Sequence, residues 1–188
     1  MSSFVDAPWR APVAVASVLV TAPTEEPLTL DEAKLRAGLD WSAGDPRDAL
    51  LASFIAAARS QVEQDTGLAL LTQTRDVTIA AGCSGQPIPW QAWPVQSLTD
   101  LGNGMRVAPR SLSDWSAIWT TGGSWRIVAG WPSAAALLAD APLLVQAVGL
   151  LTAHYATLGR DLALAGSLAP VPMGYEEAIA PYRLIVLI

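Results

Sequence analysis

Residues 48–79 decide the fold, and they read DALLASFIAAARSQVEQDTGLALLTQTRDVTI. One set of apolar residues recurs at the spacing of a single helical face, which predicts a helix: Leu51, Ile55, Ala58 and Val62. Arg59 and Glu63 are four residues apart and are predicted to pair on the solvent side of this helix. Gly67 is a favourable residue for its end. From Thr72 the pattern changes to an alternation rich in β-branched residues, which is typical of a strand.

Two helix starts lie before this stretch. In PLTLDEAKLRAGL, Thr29 is followed three residues later by Glu32, the spacing of a capping box, which predicts a short helix from about Leu30 to Leu39. Asp45 and Pro46 predict the start of the long helix, with Asp45 as its cap and Pro46 at the first helical position, where a missing N–H costs nothing.

Strands and a second long helix are predicted after the stretch. Turn signals such as GNG and TGG separate several short strands between Gln73 and Trp131. Pro142 then begins PLLVQAVGLLTAHYATLGR, which is apolar nearly all round, as in a helix buried on most faces. A short helical piece is predicted from Tyr175 to Ala180. We therefore expect an α+β fold, with a small helical bundle core, an inserted antiparallel β lobe and extended termini.

We expect this fold to form one domain spanning residues 1–188. Its predicted parts are a helical core at about 28–71 and 133–160, a β lobe at about 72–132, and a C-terminal arm at 161–188.

Composition restricts the class of protein. The hydrophobic share is 52% and the charged share 15%, against about 25% charged residues in an average domain. Such a thin charged surface favours a subunit of an assembly. The net charge is −6 and no basic cluster occurs along the chain, which argues against a protein that grips nucleic-acid phosphates.

The sequence carries little catalytic or metal-binding chemistry. Cys83 is the single cysteine and His154 the single histidine, so neither a disulfide framework nor a zinc site is predicted. Nucleotide-binding glycine patterns and GxSxG or HExxH motifs are absent from the sequence. We expect no catalytic residue, no metal and no cofactor, and we interpret His154 as a packed core residue.

Three further features have a structural interpretation. Acidic pairs occur at residues 25–26, 31–32 and 176–177, each at or just before a predicted helix start, where negative charge is favourable. Six of the eight tryptophans fall in the predicted β lobe, where we expect core or interface packing. A tryptophan-rich carbohydrate-binding module is the alternative.

The apolar run at residues 13–20 is too short to predict a signal peptide, and no membrane span is predicted.

A family resemblance rests on the order of several motifs. Its most specific parts are LTLDEAK, the run from Ala57 to Thr74 that contains AAR, VE, TG and QT, and APYR at residues 180–183. WPVQSL, WRIVAGWP and AVGLLTAHYATLGR fall between them in the same order. Over roughly residues 18–183, the chain resembles the head-tail connector (adaptor) proteins of long-tailed phages, prophages and gene transfer agents.

The resemblance implies a structural role without catalysis. Such proteins form a ring, here expected to be a dodecamer, beneath the portal protein in the virion neck, and they extend the DNA channel towards a stopper or tail-terminator protein. DNA is expected to pass through the lumen without specific binding, and the subunit to be made in the bacterial cytoplasm. A stopper or tail-completion protein of the same neck is the alternative.

The resemblance also implies a portal-binding segment near residue 183. The expected site comprises Tyr182, Arg183, Leu184, Ile185, Val186, Leu187 and Ile188. Residues 184–188 are uninterrupted aliphatic residues that favour an extended conformation. We expect them to dock into a portal groove or to add a strand to a portal sheet, with Arg183 pairing with a portal carboxylate. The alternative is that they fold back on their own subunit as a last strand.

Overall fold

The computed structural model describes residues 15–79, 93–107, 123–161 and 172–183. Within these ranges the strands are β1 (Val15–Thr21), β2 (Gln73–Ile79), β3 (Val95–Asp100), β4 (Arg106–Val107) and β5 (Gly123–Ala129). The helices are α1 (Leu30–Ala37), α2 (Arg47–Thr66), α3 (Ala134–Asp140), α4 (Pro142–Asp161) and α5 (Tyr175–Ile179), and a 3-10 turn follows at Ala180–Tyr182. The predicted α+β class is confirmed.

Local capping chemistry sets the helix ends near the predicted positions. Thr29 and Glu32 form the predicted capping box, since the Thr29 hydroxyl accepts from the Glu32 N–H and the Glu32 carboxylate accepts from the Thr29 N–H at 2.8 Å. The start of α2 differs by one residue, because Pro46 is the N-cap and Arg47 is the first helical residue. Gly67 ends α2 in the left-handed conformation, at φ 75°.

The strands form one antiparallel sheet in the order β1-β2-β5-β3-β4. Four of them lie in the region where strands were predicted. β1 lies outside that region, in the apolar run near the N-terminus, and pairs with β2 from Val15 opposite Ile79 to Thr21 opposite Thr74. The sheet therefore takes its edge strand from a distant part of the sequence, which the prediction did not include.

Helices and strands pack mainly among themselves. In the described residues, α4 packs against the other four helices, and the strands contact one another. The two parts meet at residues 68–71, which are fully buried between α2 and β2. There the Ala69 N–H donates to the Trp93 carbonyl at 2.7 Å, and the Thr72 N–H donates to the Trp131 carbonyl at 3.0 Å.

A buried carboxylate stabilises this junction. Glu63 is only 2% exposed; its Oε1 atom accepts from the Leu70 N–H at 2.9 Å and from Gln73 Nε2 at 3.0 Å. Its Oε2 atom accepts from Arg59 Nη1 at 3.1 Å, and Arg59 also binds Glu26 at 2.8 Å. The predicted Arg59–Glu63 pair therefore exists, but its placement on the solvent side was wrong, because Glu63 faces the junction. Burial raises the pKa of Glu63.

The apolar stretch after residue 133 is broken into two helices. α3 and α4 meet at Ala141 with a bend of 114°. In the described part of the chain no single helix has the length and apolar composition to cross a membrane; only this bent pair meets that criterion jointly. The inward face of α4 is instead packed in the protein core, including Leu144, Val148 and Leu151.

Candidate assembly surfaces

Two residues of the predicted portal-binding segment lie within the described structure. Tyr182 is half-buried and packs against the hydrophobic core. Arg183 is exposed, and its Nη2 atom donates to the Glu176 carboxylate of α5. Residues 184–188 lie outside the described residues. The predicted cation of the site is therefore present at the surface, but in the single chain it is paired within its own subunit.

The backbone that leads to Arg183 is anchored to the helical core. Tyr175, Ala178 and Ile179 of α5 are buried. The Tyr175 hydroxyl donates to Asp65 Oδ2 at 2.6 Å, and burial together with this bond raises the pKa of Tyr175 far above its usual value. Arg183 itself has extended backbone angles, φ −62° and ψ 120°. The last described residue is therefore anchored to the helical core and has an extended backbone.

A second candidate surface is an apolar groove of about 390 Å³. It is lined by Leu39, Trp41, Arg47, Leu50, Leu51, Phe54 and Ala156. Trp41 makes two side-chain contacts in this groove: its indole N–H donates to Asp48 Oδ1 at 2.8 Å, and the Arg47 guanidinium lies 4.2 Å from its ring centroid. Asp48 also pairs with the buried Lys34 at 2.8 Å, which lowers the pKa of Asp48.

The third candidate surface is the outer edge of β1. This strand pairs only with β2, so one side of its backbone has no strand partner within the described sheet. Val18, Leu19 and Val20 are 63%, 45% and 47% exposed. No residue of β1 is charged. An exposed apolar edge of this kind is a typical site for strand addition by another chain.

The histidine and the acidic residues that were considered for catalysis make contacts within the fold. His154 is partly buried in α4, with its ring centroid 6.2 Å from that of Tyr155. Glu25 accepts from the Ala134 N–H at the start of α3, at 3.0 Å. Across the described ranges, no group of three or more His, Cys, Asp or Glu side chains is arranged to hold a metal ion.

The tryptophans of the sheet region pack inward where the structure describes them. Trp93, Trp125 and Trp131 are all buried, and the Trp131 indole donates to Asp140 Oδ2 at 3.1 Å. Trp90, Trp115 and Trp119 lie outside the described residues. The buried tryptophans agree with the core interpretation, since stacking on a glycan requires an accessible ring face.

Most basic side chains of the described ranges are neutralised by carboxylates. Ion pairs join Lys34 to Asp48, Arg47 to Asp45, Arg59 to Glu26 and Glu63, Arg126 to Asp76, and Arg183 to Glu176. A cation that is already paired has less free energy to gain from a phosphate.

Sequence reasoning predicted the first of these surfaces as a binding segment, which remains a prediction, and did not include the other two. The signal for β1 was present in the sequence, because VASVLVT is uncharged and rich in β-branched residues. The groove had no comparable signal, since it forms only where the loop after α1 meets α2 and α4.

Among the comparisons with known proteins, similarity was found to solved structures. No protein-family model matches the chain, and no curated protein matches it. A chain in the structure "Virion of native gene transfer agent (GTA) particle" is similar at 23% identity with a TM-score of 0.61, over 92% of this chain and 97% of that chain. A chain in the structure "Neck of empty GTA particle computed with C6 symmetry" is similar at 22% identity with a TM-score of 0.60, again over 92% of this chain and 97% of that chain.

A third solved structure, "Neck of native GTA particle computed with C12 symmetry", contains a chain with 24% identity and a TM-score of 0.55, over 91% of this chain and 97% of that chain. At these identities the similarity shows a shared fold. The coverage means that the likeness extends over nearly the whole of each chain.

Proposed function

We propose that this chain is a structural subunit of the neck of a phage-like particle, forming a homo-oligomeric ring between the portal and the tail and continuing the DNA channel. The observation that carries the proposal is the fold likeness to chains of the gene transfer agent virion and neck, over 92% of this chain and 97% of the first two neighbours. The sequence motifs that resemble head-tail connectors support the same role independently.

A ring of identical subunits is supported by the surface of the chain. Two of the similar chains come from neck structures computed with C6 and C12 symmetry. The charged share of the sequence is low, and apolar side chains such as Val18, Leu19 and Leu50 are exposed. A heterologous ring contact buries two different surface patches on every subunit. We propose a dodecamer.

We further propose that residues 182–188 bind the portal. Burying one Leu, Ile or Val side chain contributes roughly 1.5–3 kcal/mol, and ordering the segment costs about 1–2 kcal/mol per residue. The net gain per subunit is modest, but a ring multiplies it. In this arrangement Arg183 exchanges its contact with Glu176 for a portal carboxylate, and the tail-side face of the ring binds a stopper or tail-terminator protein.

The channel role is supported by charge. The chain carries 17 acidic and 11 basic residues, and its described basic side chains are largely paired. A lumen with excess negative charge repels DNA and lets it slide. Tight binding of duplex DNA by the isolated protein at physiological salt would contradict this part of the proposal.

The decisive experiment images particles from the host that carries the gene. We expect a ring of this chain directly beneath the portal, and we expect particles from a gene deletion to lack attached tails. A stop codon after Arg183 should abolish binding to purified portal while circular dichroism shows that the truncated subunit keeps its helix and strand content. Leu35→Ser, at an 83% exposed position of α1, is the matched control and should bind normally. Particles that contain no copy of the chain would refute the proposal.

A further inference from the structure

We propose that, in the free protein, residues 184–188 of one copy add as an extra strand to the unpaired edge of β1 in a second copy. The contact shields two apolar elements until the portal is available. The inference rests on the proposed function only for what ends the contact, namely withdrawal of the segment to the portal.

The acceptor edge has the features of a strand-addition site. The ladder between β1 and β2 is regular from Val15 to Leu19, and a bulge follows before Thr21. Natural sheets usually protect an edge with Lys, Pro, an inward-pointing charge or a bulge. The sequence of β1 contains no Lys, Pro or charge, and its bulge lies after the regular part of the ladder. The outer N–H and C=O groups of that regular part have no strand partner within the described sheet, so they can pair with a further strand.

The side chains of β1 specify an unusual partner. Val18 lies opposite Asp76 and Leu19 lies opposite Arg75, so these two apolar residues occupy opposite faces of the sheet. Both are exposed. A strand added beside them meets apolar surface on both of its faces, whereas an ordinary surface strand is polar on one face. The favoured partner is therefore an uncharged strand that is apolar on both faces.

Residues 184–188 have this chemistry. The segment consists of Leu184, Ile185, Val186, Leu187 and Ile188, so every position is aliphatic and three are β-branched. The segment therefore matches the acceptor edge in polarity.

The point of departure favours addition in an extended conformation. Arg183 already has extended backbone angles, and its side chain is tied to Glu176 of α5. Fixing the start of a segment lowers the entropy that its ordering costs. We assign the acceptor strand to a second copy for the following reason. The α5 helix, which leads to Arg183, packs on α2 and α4, whereas β1 packs on β2. The start of the segment and the free edge of β1 therefore belong to different parts of the subunit.

The test uses full-length protein without portal, in a Cys83→Ser background. One batch carries Ser17→Cys, in the exposed centre of β1, and a differently tagged batch carries Val186→Cys. We expect a disulfide-linked heterodimer after mixing and mild oxidation. The matched control replaces Ser17→Cys with Leu35→Cys, which is also at an exposed position, on α1, and should give at least fivefold less product. Equal yields from both partners would overturn the proposal.

Hydrogen exchange supplies a second readout that does not depend on the register of pairing. Amides of β1 should exchange at least tenfold faster after a stop codon at residue 184, and sedimentation should show a smaller species than the full chain at the same concentration. Unchanged exchange would overturn the proposal. Protection that persists in a strictly monomeric full chain would overturn the assignment to a second copy.

The outcomes separate this inference from the neck role. If the chain is absent from particle necks but the Ser17→Cys and Val186→Cys proteins form a disulfide, the proposed function is refuted and the strand addition stands. If the chain forms a neck ring but the free protein gives no such disulfide, the strand addition is refuted and the proposed function stands. Addition of purified portal is expected to reduce the disulfide yield only if both proposals hold.

Discussion

The hydroxyl of Tyr175 donates a 2.6 Å hydrogen bond to Asp65 Oδ2 and thereby joins α5 to the last turn of α2. The tyrosine is 1% exposed, and the bond is made at the edge of the helical core. Because α5 leads directly to Tyr182 and Arg183, this contact sets the position from which the proposed portal-binding segment leaves the subunit.

Tyr175→Phe removes this hydrogen bond and keeps the packing of the ring. We expect a loss of about 1 kcal/mol in the free energy of unfolding, measured by urea denaturation at pH 7. Tyr182→Phe is the matched control, since the Tyr182 hydroxyl makes no hydrogen bond with the described part of the chain, and it should change stability little. Equal effects of the two substitutions would show that the contact with Asp65 contributes nothing specific.

Gly130→Ala should be among the most damaging single-methyl additions in this protein. A Cβ atom at Gly130 would lie 2.2 Å from the Leu71 carbonyl oxygen, and the backbone there has φ +108°. Strain and overlap together predict a loss of about 3–5 kcal/mol. Gly44→Ala, with φ +83° and no atom within 4 Å of the new Cβ, isolates the backbone cost of about 1–2 kcal/mol. A comparison of melting temperatures checks the ranking, and similar values would contradict it.

Glu63→Gln tests whether the buried carboxylate holds the junction between helices and sheet. The amide keeps the shape of the carboxylate, but its NH₂ group must face one of the donors that now bind oxygen, such as the Leu70 N–H or Arg59. We expect a loss of about 1–3 kcal/mol. Glu177→Gln makes the same chemical change at an exposed site of α5 and should be nearly neutral. Unfolding in guanidinium chloride measures both, and a neutral Glu63→Gln would exclude the stabilising role.

The pair between Lys34 and Asp48 should make stability depend on pH in the acid range. Hydrogen bonds that Lys34 and Trp41 donate to the Asp48 carboxylate lower the pKa of Asp48 below its usual 3.8. A carboxylate whose pKa falls on folding stabilises the protein above its unfolded pKa, and this contribution is lost as the pH falls through the folded value. Asp48→Asn should therefore destabilise the protein at pH 7, with a difference from the wild type that shrinks as the pH falls below about 4.

The control for this titration is Asp31→Asn, at an exposed position in the first turn of α1. Thermal unfolding at a series of pH values measures all three proteins. We expect the Asp31→Asn curve to follow the wild type more closely than the Asp48→Asn curve does. A constant difference between wild type and Asp48→Asn at every pH would show that the stabilisation does not come from the ionised carboxylate.

The sequence by itself determined the local features of this protein. The capping box at Thr29, the end of α2 at Gly67, the start of α4 at Pro142 and the change from helix to strand after Thr72 all follow from residues a few positions apart. Such features depend on backbone groups that neighbouring side chains satisfy, so the pattern within one turn or strand is sufficient to predict them.

Only the tertiary structure decided which distant segments meet. β1 joins β2 across more than fifty residues of chain; the composition of VASVLVT favours a strand, but nothing in it indicates which strand it pairs with. Glu63 looked like the partner of Arg59 on a solvated face, yet its burial depends on Leu70 and Gln73, which approach it after the turn that follows α2. Strand pairing and burial are set by long-range packing, for which a single sequence contains no local signal.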